Sequence, residues 1–192
     1  MPTVYFIRHG ETDWNAAGRL QGLIDRPINA TGRGQAKRNG GVLAEVLERP
    51  GSLHFVTSPL LRARQTMAIV RQELGLVPDH FRIDERIIEI RFGEWEGKTW
   101  TELRKTDRMR VDAREADPYY YPIPGGESYA MVTERVIAWL ESLKEDTLVV
   151  SHGGIMRCLR GHVLEMDPED VPFLDVPQDR VMVIAGGKIS WL

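Results

Sequence analysis

Two apolar stretches in this chain stop abruptly at residues suited to chemistry. Val4-Tyr5-Phe6-Ile7 runs into Arg8-His9-Gly10, and Thr147-Leu148-Val149-Val150-Ser151 runs into His152-Gly153. Arginine is a permanent, forked donor for phosphate or carboxylate oxygens, and histidine carries a nitrogen that is neutral and nucleophilic near pH 7. Glycine lets backbone come close to a bound group. The combination reads as an anion held against an attacking group. If the two stretches are neighbouring parallel strands, both imidazoles emerge at one sheet edge and address a single atom from two sides.

The elements between them must supply the remaining groups. Gly10 to Asn29 has no helical stripe and reads as a long loop, which makes Thr12, Asn15, Arg19, Gln21 and Gly22 candidates for lining a pocket. Thr31 is expected to cap a helix that turns Ala36, Leu43, Val46 and Leu47 to the core, with Gly40 and Gly41 marking close packing on a sheet. A strand at 53–57 leads to Ser58-Pro59, a helix-start signal, followed by Leu60, Ala63, Met67, Val70 and Leu74 at helical spacing. Arg62 then sits in an opening turn just past a strand end, where free amides and a guanidinium can face one anion. Residues 78–124 read as irregular apart from a short polar helix at 99–105. Glu85, Glu89, Glu94 and Glu96 compete there for the role of a proton donor shielded by aromatics. Tyr119-Tyr120-Tyr121, between prolines, is a candidate specificity wall. Ser128 caps a helix carrying Val132, Val136, Trp139, Leu140 and Leu143, Ile155 to Val163 form another, and 180–191 close as a hairpin.

Composition bounds what such a site serves. At 192 residues with 42% hydrophobic content, the chain suits one domain, residues 1–192, around a single substantial core. A net charge of -3 and the lack of a long basic run argue against nucleic acid as partner. Cys158 is the sole cysteine, so neither an internal disulfide nor a cysteine-cluster metal site can form, and a reducing, cytoplasmic setting is expected. Met1-Pro2-Thr3 lacks a cationic prelude and Arg8 interrupts the apolar run, so neither a signal peptide nor a membrane span is expected. Two histidines beside arginines make a poor zinc site, because the guanidiniums oppose the cation. Neither a Gly-x-Ser-x-Gly elbow nor a nucleotide phosphate loop is present, and no metal or cofactor is called for. A phosphomonoester fits these groups best: guanidiniums on nonbridging oxygens, one imidazole attacking phosphorus, a carboxylic acid protonating the leaving oxygen.

The motifs then resemble a known family. Arg8-His9-Gly10-Glu11-Thr12-Asp13-Trp14-Asn15 resembles the signature of the histidine phosphatase superfamily, in its phosphoglycerate mutase-like branch. Gln21-Gly22-x-x-Asp25-x-Pro27 through Gly32-x-x-Gln35-Ala36 resembles its next block, although Ile28-Asn29 stands where Leu-Thr is common. Thr57-Ser58-Pro59-Leu60-x-Arg62-Ala63, Glu89-x-x-Phe92-Gly93-x-Trp95-Glu96-Gly97, Pro124-Gly125-Gly126-Glu127-Ser128 and Val150-Ser151-His152-Gly153-Gly154 follow in family order. The resemblance implies a three-layer α/β/α sandwich around a mostly parallel mixed sheet. It implies a phosphoric monoester hydrolase of the histidine acid type, working through a phosphohistidine. His9 would be the nucleophile, with Arg8, Arg62 and His152 as the phosphate pocket and Glu89 as the proton donor. Asn15, Gln21, Gly22 and Gly153 would contact the phosphate or substrate. The partner implied is a small phosphorylated metabolite such as a sugar phosphate, a phosphoglycerate or a ribazole phosphate; a homodimer stays open. A primer-dependent phosphoglycerate mutase and a noncatalytic phospholigand-binding module are the alternatives. The modest 98–124 segment, standing where mutases carry a longer insertion, favours the hydrolase.

Overall fold

The computed structural model describes residues 2–192. Its strands and helices run in chain order β1 (Val4–Arg8), α1 (Asp13–Ala16), α2 (Ala30–Val46), β2 (His54–Thr57), α3 (Leu61–Glu73), β3 (Arg82–Ile83), α4 (Trp100–Thr106), α5 (Arg108–Ala116), α6 (Tyr129–Ser142), β4 (Thr147–Ser151), α7 (Gly153–Val163), β5 (Val181–Ala185) and β6 (Lys188–Trp191). The sheet order is β3-β2-β4-β1-β5-β6, parallel from β3 to β1 and antiparallel at β5 and β6.

The three layers follow from alternation along the central strands. Val4, Phe6, Val149, Met182 and Ile184 point to one face, where Val132, Val136 and Trp139 of α6 and Ile155 and Leu159 of α7 cover them. Ile7, Leu148, Val150 and Val181 point to the other, under Leu43 of α2 and Ala63, Met67 and Val70 of α3. With both faces covered, β4 is buried at all five positions, the signature of an interior parallel strand. A third cluster of Trp95, Leu103, Val111 and Ile123 holds the 92–124 segment together.

The sequence expectations need correction at several points. α2 is capped by Asn29, whose side chain accepts from the Gly32 amide, rather than by Thr31, and Val46 is exposed. Gly40 does mark close packing, but against α3 instead of the sheet. Ser58 does not cap α3: the first free amide, on Leu61, goes to the Asp25 carboxylate at 2.8 and 3.0 Å. The loop after β1 contains the one-turn α1, closed by a reciprocal Thr12–Asn15 capping box. The 78–124 segment holds β3 and the whole of α5 besides α4, whose own capping box joins Thr99 to Glu102. α5 was illegible because its nine residues bury only Val111 and Arg114, so it carries almost no apolar stripe. The hairpin is as expected, its Gly186-Gly187 turn having φ of 54 and 74°, as a tight antiparallel connection requires.

The two α2 glycines make opposite predictions. A Cβ on Gly40 would lie 2.6 Å from Glu73 Cβ and 3.2 Å from Val70 Cα, whereas one on Gly41 meets nothing within 4 Å. Thermal or urea unfolding should show Gly40→Ala destabilised by ~1–3 kcal/mol through overpacking. Gly41→Ala should be neutral or gain up to about 1 kcal/mol from helix propensity.

Candidate active site

Three adjacent parallel strands, β2, β4 and β1, end together, and each is followed by a side chain with chemistry. The ladder continues past the strand ends: the His9 amide donates to Ser151 O at 2.9 Å and the Ser58 amide to Val150 O at 3.1 Å. His9, His152 and Ser58 are thereby brought into one buried cluster. The imidazole centroids lie 5.2 Å apart, edge to face, and His152 Nε2 is 2.6 Å from Ser58 Oγ.

The hydrogen bonds of His9 define its tautomer. Nδ1 lies 2.8 Å from Gly10 O, and a carbonyl can only accept, so Nδ1 carries the proton and Nε2 holds a free lone pair. Burial, followed by the charges of Arg62 and Arg8, holds the His9 pKa well below its ordinary value. His152 is held down in the same way, by burial, then Arg62, then the His9 ring. His152 Nδ1 is buried without a hydrogen-bond partner among the described residues.

The guanidiniums are held by carbonyls and neither is ion-paired, with Glu89 the carboxylate that acts most on both. Arg8 donates to Val176 O at 2.6 Å, and burial lowers its pKa to about 10. Arg62, fully buried, donates to Gly22 O at 2.8 Å and Ile24 O at 3.0 Å. Gly22 is thus a backbone bracket for Arg62 as well as part of the cavity wall. Arg64, one of the arginines of α3, is absent from that wall.

Of the four competing glutamates, only Glu89 lines the cavity that His9 opens into. Glu85 is exposed, Glu94 pairs with Arg110, and Glu96 braces the loops by accepting from the Leu23 and Phe92 amides. Aromatic shielding alone does not hold Glu89. Its Oε1 accepts the Ile90 amide at 2.9 Å and the Gly154 amide at 3.1 Å at the start of α7, leaving Oε2 without a protein partner among the described residues. A Cβ on Gly154 would stand 2.5 Å from that Oε1, so the second glycine after His152 makes room for the carboxylate.

The cavity, about 130 Å³, is walled by Arg8, His9, Asn15, Gln21, Gly22, Glu89 and Gly153 among the residues expected from sequence, with Arg19 at its edge. Arg62 and His152 lie behind this wall, fully buried. Larger depressions of about 220 and 570 Å³ border the N-terminal end of β2 and contain no such constellation; chemistry rather than volume identifies the site. Asn15 Oδ1 is tied by the Thr12 amide and hydroxyl and by Gln178 Nε2, which orients its free amide. Gly10 cannot carry a side chain because its Cβ would stand 2.3 Å from Gly32 O.

Sequence reasoning missed three contributors. Gln178 ties the His9 carbonyl at 2.9 Å, and Val176 holds Arg8; both come from the 168–177 region and its edge, where no periodicity exists to read. Tyr129, first residue of α6, lines the cavity with Phe92, whereas Tyr119 packs on the core and bonds Thr133 and Tyr120 is exposed. The expected tyrosine wall at 119–121 does not face the site. The helix start after Ser128 pointed to Tyr129 only indirectly.

Among the described residues no three His, Cys, Asp or Glu side chains gather as metal ligands, and no helix is long and apolar enough to cross a membrane.

Comparisons with known proteins agree on one group. A family model described as the histidine phosphatase superfamily, branch 1, matches residues 4–190. The protein named probable phosphoglycerate mutase GpmB from Serratia proteamaculans is 36% identical over 172 residues, covering 85% of this chain and 75% of that protein. The 6-phosphofructo-2-kinase/fructose-2,6-bisphosphatase of Caenorhabditis elegans is 30% identical over 177 residues, or 91% of this chain, which spans 37% of that longer protein. Among solved structures, mycobacterial glucosyl-3-phosphoglycerate phosphatase complexed with VO3 is similar at 28% identity and a TM-score of 0.79, covering 100% of this chain and 97% of the other. The alpha-ribazole phosphatase of Shigella flexneri gives 25% identity and a TM-score of 0.81, with 98% and 93% covered.

The buried imidazoles carry a pH signature. His9 is neutral when folded but titrates near 6.5 when unfolded, so below that pH the unfolded chain binds the extra proton and stability falls; above it the two states are alike and nothing is lost. Urea unfolding at pH 7.0 and 5.5 should show wild type losing about 1 kcal/mol more than His9→Gln over that interval. Equal losses would mean that His9 charges in the folded protein.

Proposed function

The chain belongs to the histidine phosphatase superfamily, branch 1, and we propose that it hydrolyses a small phosphorylated metabolite through a phosphohistidine on His9, without a metal ion. The observation that carries this reading is the His9 tautomer: its Nε2 lone pair is fixed by the Nδ1–Gly10 O bond, 5.2 Å between ring centroids from a second neutral imidazole and beside two guanidiniums.

In the proposed reaction, Arg8, Arg62 and the free Nδ1 of His152 receive the nonbridging oxygens, His152 donating from the tautomer in which Ser58 donates to Nε2. Asn15, Gln21, Gly22 and Gly153 complete the wall around the phosphate. His9 Nε2 attacks phosphorus; the N–P bond forms as the P–O ester bond breaks, and Glu89 gives its proton to the departing oxygen. Charge that builds on the phosphoryl oxygens meets guanidiniums fixed by neutral carbonyls and an imidazole fixed by Ser58, so no reorganisation is needed as it develops. Glu89, now a carboxylate, takes a proton from the water that attacks phosphorus, the N–P bond breaks, and its electron pair returns to Nε2. The sequence of steps leaves His9 and Glu89 as they began. Phosphatases acting on glucosyl-3-phosphoglycerate and α-ribazole phosphate are among the similar structures and mark the size of substrate expected. Cys158, buried and unpaired, suits a cytoplasmic setting. Transfer to a second substrate oxygen instead of water would make the protein a mutase, and the similarity to proteins named phosphoglycerate mutase keeps that as the second reading.

His9→Ala should retain the fold by circular dichroism and lose turnover by at least about 10³-fold, with the acid-labile ³²P label of rapidly quenched wild type absent; unchanged kinetics would remove His9 from the mechanism. Glu89→Gln should lose about 10²–10⁴-fold on an alkyl phosphate and much less on an aryl phosphate, whose leaving group needs little protonation. Matching losses on both substrates would exclude Glu89 as the acid. Free phosphate assayed alongside isomerised product, with and without a bisphosphorylated primer, separates hydrolase from mutase.

A further inference from the structure

Asn29, Gly32 and Gln35, spaced by three, have no part in the reaction above, yet all three close on the two residues that follow His9. The Asn29 backbone amide donates to Glu11 O at 2.8 Å, and its side-chain amide donates to Glu11 Oε1 at 2.9 Å. Gly32 lies so near that a Cβ on it would stand 2.3 Å from Glu11 O. Gln35 Oε1 accepts the Glu11 amide at 2.8 Å. The opening turns of α2 therefore grip Gly10-Glu11 from one side. From elsewhere in the chain, Thr66 Oγ1 accepts the Gly10 amide at 3.0 Å and Gln178 Nε2 donates to His9 O at 2.9 Å. Both peptide groups that flank Gly10 are thus bonded at their N–H and at their C=O.

These clamps are not equivalent. Thr66 and Gln178 fix the peptide between His9 and Gly10, whereas Gln35 fixes the next one, whose carbonyl takes the proton-bearing Nδ1 of His9 at 2.8 Å. One line of donors and acceptors runs from His9 Nδ1–H to Gly10 O, through the planar amide, and from Glu11 N–H to Gln35 Oε1. Resonance couples the two ends of a peptide group, so accepting a bond from its N–H sends electron density to its oxygen and strengthens the bond there. Gly10 O then pulls harder on the Nδ1 proton, and Nε2 becomes the richer nitrogen. The gain is greatest during phosphoryl transfer, because phosphorus bonding to Nε2 draws charge from the ring and makes Nδ1–H a better donor. An interaction that strengthens on the way to the transition state lowers the barrier. A carboxylate at Nδ1 would act more strongly, but it would also raise the His9 pKa and favour a charged ring near neutral pH. A carbonyl backed by Gln35 avoids that. We propose that Gln35 is a positioning residue for the nucleophile: through the Gly10–Glu11 peptide it sets the plane and polarity of the acceptor that keeps the proton on Nδ1 and the lone pair on Nε2. This inference rests on the phosphohistidine reading and adds to it a residue outside the cavity wall.

The test pairs a spectrum with a rate. Gln35→Met keeps the length of the side chain and removes its oxygen, leaving the Glu11 amide without that acceptor, whereas Gln35→Glu keeps an oxygen there. In ¹⁵N-histidine-labelled protein at neutral pH, long-range ¹H–¹⁵N correlation should show Nε2 of wild-type His9 as the unprotonated nitrogen, its signals assigned by their absence from His9→Gln. In Gln35→Met the Nε2 and Nδ1 signals should draw together as the second tautomer fills. The kcat/KM on p-nitrophenyl phosphate, which covers the steps up to the phosphohistidine, should fall about 10-fold in Gln35→Met, the worth of one hydrogen bond. In Gln35→Glu it should stay within about threefold of wild type. A Gln35→Met spectrum identical to that of wild type would overturn the relay whatever the rate. A changed spectrum with an unchanged rate would show that the relay does not serve the reaction, and equal losses in Gln35→Met and Gln35→Glu would reduce Gln35 to a structural contact; either result overturns the proposal. If wild type hydrolyses no phosphomonoester, the phosphatase reading fails, and the His9 spectrum still decides the relay. Should Gln35→Met prove unfolded by circular dichroism, Gln35→Leu takes its place.

Discussion

The parallel pairing of β1 with β4 is the constraint on which the rest depends. Arg8 stands opposite Ser151 in the register, so the residue after each, His9 and His152, leaves the sheet at one height and on one edge. A slip by one residue would turn every side chain of the strand to the opposite face and separate the two rings. The register is held by alternating burial on both faces: Phe6 and Val149 toward α6 and α7, Ile7 and Val150 toward α2 and α3. Core packing and site geometry are therefore one requirement, and the site inherits the rigidity of the most buried strand in the molecule.

Around that pair, charge is arranged in an unusual balance. Arg8, Arg62 and Arg157 are each oriented by backbone carbonyls rather than by carboxylates. A carbonyl fixes direction without cancelling charge, so the positive potential stays available to an anion and at the same time keeps the imidazoles neutral. Glu89 is the one acid at the cavity among the described residues, and it is anchored through a single oxygen by two amides at the head of α7.

The parts legible in the sequence were those with local signatures. Apolar runs ending in Arg8-His9 and His152 announced central strands and their ends, the stripe from Leu60 to Leu74 announced α3, and Gly186-Gly187 announced the hairpin. What could not be read were contacts between residues far apart in the chain that have no pattern of their own. Asp25 caps a helix 36 positions away, so Ser58, which looked like the cap, is left free to bond His152. Gln178 reaches back 169 positions to His9. Polar residues in loops have no periodicity, and their roles emerge only once the strands have brought the loops together. The Tyr119-Tyr120-Tyr121 run misled for a related reason: aromatic composition indicates a need for burial or a face, but not which one, and Tyr119 was claimed by the core.

The segment that brings Val176 and Gln178 across the mouth of β1 also orders events in time. β1 is synthesised first, yet its two neighbours in the sheet are β4 and β5, from the last quarter of the chain. A nascent chain on the ribosome thus holds β1 without either partner until β4 and β5 have been translated. Those late, long-range pairings make for slow folding and leave an apolar edge open meanwhile. During that interval His9 has neither its second imidazole nor the Gln178 tie on its carbonyl, so the cavity takes shape only once β4 and β5 have joined the sheet, and chaperones have a long window in which to bind the chain.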